Sequence, residues 1–101
     1  MSHLGVVAKL TAKEGQRDQL AAALQPLLEA VNDEPGTLVY LLYADDGAPD
    51  VLWFYERYED RAALKAHGGS EAMKAAGAAM APFLASPAEI HVLSFIGGKG
   101  Q

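Results

Sequence analysis

Cysteine is absent from this chain of 101 residues. Its absence excludes disulfides, thiolate metal sites and cysteine nucleophiles. Positive charge is scarce as well. Eight basic residues stand against thirteen acidic ones, and the net charge is −5. The eight are scattered, at Lys9, Lys13, Arg17, Arg57, Arg61, Lys65, Lys74 and Lys99. They make no stripe that would follow a phosphate backbone, so no nucleic-acid partner is expected. No apolar run approaches the ~20 residues of a membrane-spanning helix, and no membrane partner is expected. The opening MSHLGVVAKL enters a strand pattern without a signal-peptide core, which makes a cytoplasmic protein the expectation. His3, His67 and His91 fall at unrelated spacings, which is not a metal-ligand pattern. Gly97-Gly98-Lys99-Gly100 precedes no helix and reads as a flexible tail over 97–101, not a phosphate loop. With no dinucleotide or flavin motif, no cofactor is expected.

What is present is enough for one core. Half of the residues are hydrophobic, and the length suits a single domain over 1–101. The organising stretch is Val51–His67, VLWFYERYEDRAALKAH. Eight aromatic, branched and charged residues read as a central strand. Asp60 then caps a short helix that brings Ala63, Leu64 and His67 to one side.

The remaining elements follow from periodicity. His3–Thr11 alternates as a first strand. Gln16–Asp33 carries Leu20, Leu24, Leu27, Leu28 and Val31 on one stripe and reads as a helix that Pro26 should kink or loosen. Thr37–Ala44 is a second strand, with Leu38, Tyr40 and Leu42 on one face and Val39, Leu41 and Tyr43 on the other. The turn at 45–50 makes a hairpin with Val51–Tyr58. Ser70 caps a further helix with Met73, Ala76, Gly77, Met80 and Leu84 as its stripe, its many alanines and Gly77 allowing close approach to the sheet. Ala88–Ile96 is the last strand. The order βαββαβ, with right-handed crossovers, gives an α+β fold of ferredoxin-like type: a four-stranded antiparallel sheet with helices on one face. The other face would carry Val39, Leu41, Tyr43, Val51, Trp53 and Tyr55. A monomer rarely exposes so large an apolar patch. A homodimer with sheets face to face is expected, with Trp53 as an interface anchor.

Several of these residues also resemble a known family. Glu34-Pro35-Gly36-Thr37-Leu38-Val39-Tyr40, then Tyr55-Glu56-Arg57-Tyr58-Glu59-Asp60, then Ala63-Leu64 and His67 with Ser70 beyond, resemble the antibiotic biosynthesis monooxygenase family. The resemblance runs from the first strand to the last. It implies a dimeric α+β barrel with a pocket between sheet and helices in each subunit. Members of that family include cofactor-independent oxygenases of aromatic phenols and quinols, haem-degrading enzymes and an isomerase of a phosphorylated signalling sugar. Departures sort these activities. The tailoring oxygenases carry an Asn and a Trp on the third strand where this chain has Phe54 and Tyr58. The haem-degrading members need an Asn near Ala8 and a His within Gly77–Met80, and this chain has neither.

The candidate site residues follow. His67 is the candidate base, because an imidazole takes up and returns protons near neutral pH. The bland alternative is a helix-terminal histidine that meets the last carbonyls. Glu56, set among aromatics, is the candidate partner that orients it; the alternative is an ion pair with Lys or Arg. Tyr40, Phe54, Tyr58 and Met73 are the candidate substrate-binding residues, with plain core packing as the alternative for each. The expected activity is a cofactor-independent monooxygenase that oxidises a small aromatic quinol or phenol with O2. The alternatives are an isomerase or lyase of a small (phospho)hydroxycarbonyl compound, and a non-catalytic ligand-binding dimer whose pocket is closed by Met73, Met80 and Phe83.

Overall fold

The computed structural model describes residues 3–100. Four strands and four α-helices alternate along it: β1 (Leu4–Thr11), α1 (Arg17–Ala23), α2 (Gln25–Ala30), β2 (Thr37–Ala44), β3 (Val51–Tyr58), α3 (Arg61–Gly68), α4 (Glu71–Met80) and β4 (Glu89–Ser94). The strands form one antiparallel sheet in the order β2-β3-β1-β4. This is the expected ferredoxin-like arrangement. Its thinnest dimension, 19 Å, is that of two layers.

Side-chain parity decides which sheet face is covered. Leu4, Val6, Ala8 and Leu10 of β1 pair with Tyr58, Glu56, Phe54 and Leu52 of β3, and all eight are buried. Leu20, Leu24, Leu27, Ala76 and Met80 come down on them from α1, α2 and α4. The helical layer does not reach β4, where Ile90 and Val92 stand out at 61% and 47% exposed.

Local details depart from the simple pattern, each for a physical reason. The long first helix is two short ones that meet at Leu24. Pro26 lies in the first turn of α2, where its missing N–H costs nothing. Leu38 does not share a face with Tyr40 and Leu42. A register shift between Thr37 and Val39 leaves it as the extra residue of a bulge, and it points outward. Val51 is buried, not part of the open face. It begins β3 beside the 45–50 turn, and Arg17 reaches the carbonyls of Asp45, Ala48 and Val51. Gly77 is not a point of close approach: a Cβ there would meet nothing within 4 Å, and Ala76 makes the inward contact. The last strand is shorter than Ala88–Ile96, because Ala88 and the residues after Ser94 make no ladder pairs.

Candidate functional site

Two helix ends and one turn build the site. The Asp60 side chain accepts from the Ala63 N–H at 2.8 Å and starts α3. Nearly two turns later, in the last turn of that helix, His67 faces the sheet and is 6% exposed. Ser70 fixes its backbone. The Ser70 hydroxyl donates to the His67 carbonyl at 2.8 Å and accepts from the Met73 N–H at 3.1 Å, so one side chain ties α3 to the start of α4.

The His67 ring is held on three sides. Its Nδ1 lies 2.9 Å from Glu34 Oε1. Tyr40 and Tyr58 pack against the ring with centroids at 4.9 and 5.4 Å, and Tyr40 stacks in turn on Phe54 at 4.7 Å. The turn that carries Glu34 is pressed onto α3. A Cβ on Gly36 would lie 2.5 Å from the Ala63 Cβ, so only glycine fits there. The Glu59 N–H donates to the Gly36 carbonyl at 2.9 Å and ties the same turn to the end of β3.

Beneath His67 lies a cavity of about 260 Å³. Val6, Ala8, Leu27, Phe54, Met73 and Met80 make most of its apolar wall, and Tyr40, Glu56 and His67 are its polar-bearing side chains. An apolar cavity of ~150 Å³ already holds a benzene ring, so this one admits a substituted ring or a small fused pair. Met73 and Met80 line it without filling it, and Phe83 is not part of its wall. The closed-pocket expectation therefore fails. Ala88 and Ile90 border it on the side that the helices leave uncovered.

Glu56 is 6% exposed and accepts the Tyr58 hydroxyl at 2.6 Å. Burial pushes its carboxyl up; the Tyr58 bond and the nearby His67 pull the other way without cancelling it. Burial also raises the Tyr40 phenol, aided by the Glu56 and Glu34 carboxylates. Tyr58 is raised by burial first and then by its bond to Glu56. Both phenols stay protonated across the physiological range.

The structure thus brings His67, Glu56, Tyr40, Phe54 and Met73 to one cavity. It corrects two placements. Tyr58 does not line the cavity; at 0% exposure it sits behind Glu56 and supports it. Glu56 does not orient His67 through a hydrogen bond, since Tyr58 occupies its Oε1 and Glu34 takes the imidazole. Neither Lys nor Arg pairs with Glu56 among the described residues. Sequence reasoning missed Glu34, although it heads the Glu34-Pro35-Gly36 motif. The contact joins residues 33 positions apart, and periodicity carries no signal for such a meeting.

The comparisons with known proteins agree with this fold. The family model described as antibiotic biosynthesis monooxygenase matches residues 4–79. The chain belongs to the antibiotic biosynthesis monooxygenase family. A solved protein of this type from Caulobacter crescentus is 35% identical, with 95% of this chain and 92% of that chain covered and a TM-score of 0.89. One of the same type from Chloroflexus aurantiacus is 32% identical, with 98% of each chain covered and a TM-score of 0.80. An uncharacterized protein of Synechocystis is 28% identical over 87 residues. That match spans 86% of this chain but only 59% of the relative's length. The family match thus covers β1 to nearly the end of α4, and with them His67, Glu34 and Glu56. Among the described residues no cluster of His, Asp and Glu could hold a metal ion, and no helix is long and apolar enough to cross a membrane.

Proposed function

We propose that this family member is a cofactor-independent monooxygenase that oxidises a small aromatic quinol or phenol with O2. One observation carries the reading: a buried imidazole, hydrogen-bonded to a carboxylate at 2.9 Å, forms the polar end of an otherwise apolar cavity of about 260 Å³. Such a cavity favours a flat apolar ring, and the imidazole favours an acidic hydroxyl on it. His67 takes the proton of that hydroxyl. Glu56 meets a second hydroxyl and sets the ring's orientation, while Tyr40, Phe54 and Met73 wall the ring. The electron-rich anion passes an electron to O2, and a carbon–oxygen bond forms at a ring carbon. Loss of water follows. One dioxygen oxygen stays on the ring, and the other leaves as water with two hydrogens of the substrate. The substrate supplies the electrons, so the reaction draws on no further reductant. Exclusion of bulk water from the cavity keeps the anion reactive.

A second copy of the chain belongs to this reading. Leu41, Tyr43, Tyr55, Leu93 and Phe95 are each 40–55% exposed, and the first four sit on the sheet face away from the helices. Face-to-face pairing of two sheets covers them.

The direct test is O2 uptake by the purified protein with a panel of mono- and bicyclic quinols. Turnover with stoichiometric O2 consumption is the expected result. An isomerase of a small hydroxycarbonyl compound is the second reading, favoured by the two carboxylates, Glu34 and Glu56, set around one imidazole. Solvent deuterium entering a substrate without O2 consumption would replace the first reading by the second.

A further inference from the structure

We propose that Glu34 is the positioning residue of this site: it holds the proton on Nδ1 of His67 and so leaves the Nε2 lone pair for the substrate. The inference rests on the reading of His67 as the base. It explains how a buried histidine comes to present the correct nitrogen.

The geometry is that of a partition. His67 borders two hollows. One is the apolar cavity described above. The other, of about 440 Å³, lies outside it and is lined by Glu34, Thr37, Glu59, Asp60 and Ser70 among others. Glu34 borders only the outer one, and Glu56 only the inner one. The two nitrogens of an imidazole point away from each other across the ring. With Nδ1 committed to Glu34, which borders the outer hollow, Nε2 is the nitrogen left for the inner one. A carboxylate accepts only, so the proton in the 2.9 Å contact sits on Nδ1. A neutral imidazole left to water prefers the proton on Nε2, where it could not accept one from a substrate. The partner of one nitrogen therefore sets the chemistry of the other.

The chain holds Glu34 firmly. The Thr37 hydroxyl donates to the same Oε1 at 2.7 Å, the Glu34 N–H donates to the Val31 carbonyl at 3.0 Å, and the Thr37 N–H donates to the Glu34 carbonyl at 3.1 Å. Gly36 lets this turn sit against Ala63, one helical turn before His67. The carboxylate also serves the charged state. Once Nε2 takes a proton, an imidazolium faces apolar walls, and an unpaired buried charge there is costly. Glu34 neutralises it at hydrogen-bond distance. Its side chain is 21% exposed, so it keeps contact with water on the outer side.

The test has two arms. In the first, 15N spectra of the His67 ring report which nitrogen carries the proton, with no substrate present. Nδ1–H is expected in the wild type, and a shift towards Nε2–H in Glu34→Ala. Nε2–H in the folded wild type would overturn the proposal. In the second arm, O2 uptake on the best quinol is measured. Glu34→Ala is expected to lose about 100-fold in kcat with KM within twofold. Formate, supplied from the open outer hollow, is expected to restore part of the rate in Glu34→Ala and none in His67→Ala. Wild-type kcat in Glu34→Ala, or a lost rate that formate leaves untouched, would count against Glu34. If Glu34→Ala does not fold, Glu34→Asp keeps the charge but withdraws it by one methylene, and the same loss of kcat is expected. If the wild type oxidises no quinol, the oxygenase reading falls. The tautomer spectrum then judges Glu34 alone.

Discussion

The two faces of the sheet are made of similar residues and meet opposite fates. On the covered face, Val6, Ala8, Phe54, Glu56 and Tyr58 are each 6% exposed or less. On the open face, Leu41, Tyr43, Tyr55 and Leu93 are 43–55% exposed, although they are no less apolar. Composition does not separate the faces; neighbours do. The covered face has four helices above it and contains the one carboxyl, among the described groups, that burial raises. The open face holds its polar groups by local means. Trp53 Nε1 donates to Asp45 Oδ2 at 2.6 Å, and Lys9 lies 5.9 Å from the Trp53 ring. Burial thus shifts the proton affinity of the groups on one face, and its absence leaves the apolar side chains of the other in the open.

That contrast can be broken at several points. The largest effect is expected from His67→Ala, which should lower quinol-dependent O2 uptake by roughly 10²- to 10⁴-fold, the usual worth of a general base. Equal rates for variant and wild type would remove His67 from the reaction. Phe54→Ala comes next, because it deletes a ring from the covered face that is 4% exposed. A loss of about 3–5 kcal/mol in urea unfolding is expected, with an enlarged cavity. On the open face, Tyr55→Glu together with Leu41→Glu should halve the mass seen by sedimentation. Like charges would then face each other across the proposed interface. A wild type that sediments as one chain at micromolar concentration would end the pairing argument.

The smallest effect concerns Glu56. Its carboxyl is raised by burial, so the folded state binds its proton more tightly than the unfolded chain does. Its contribution is fully present at low pH and declines as pH rises from the ordinary glutamate range through the raised value. Glu56→Gln removes that penalty and still accepts the Tyr58 hydroxyl. The melting temperature of the variant relative to wild type should therefore climb between pH 4 and pH 7. A difference that stays flat with pH would show that the carboxyl is not desolvated.

Much was legible in the amino-acid order. The apolar and branched runs of β1 and β3, the Asp60 and Ser70 caps, the hairpin at 45–50 and the helix interruption near Pro26 are local signals, and each acts within a few residues. They set the element order, and with it the sheet. They also placed His67 at the end of a helix above the face that carries Phe54 and Glu56. Leu38 was not legible, because a bulge belongs to a pair of strands and not to one. Nor was the partner of His67. Glu34 and Glu56 are both glutamates beside aromatic or glycine-containing motifs, and only the packing of the 34–37 turn on Ala63 decides which one reaches the imidazole. Local order determined which elements this chain makes and which faces they can bury. Tertiary structure decided which carboxylate meets which ring, since a hydrogen bond between residues 33 apart exists only when the whole fold brings them within 3 Å.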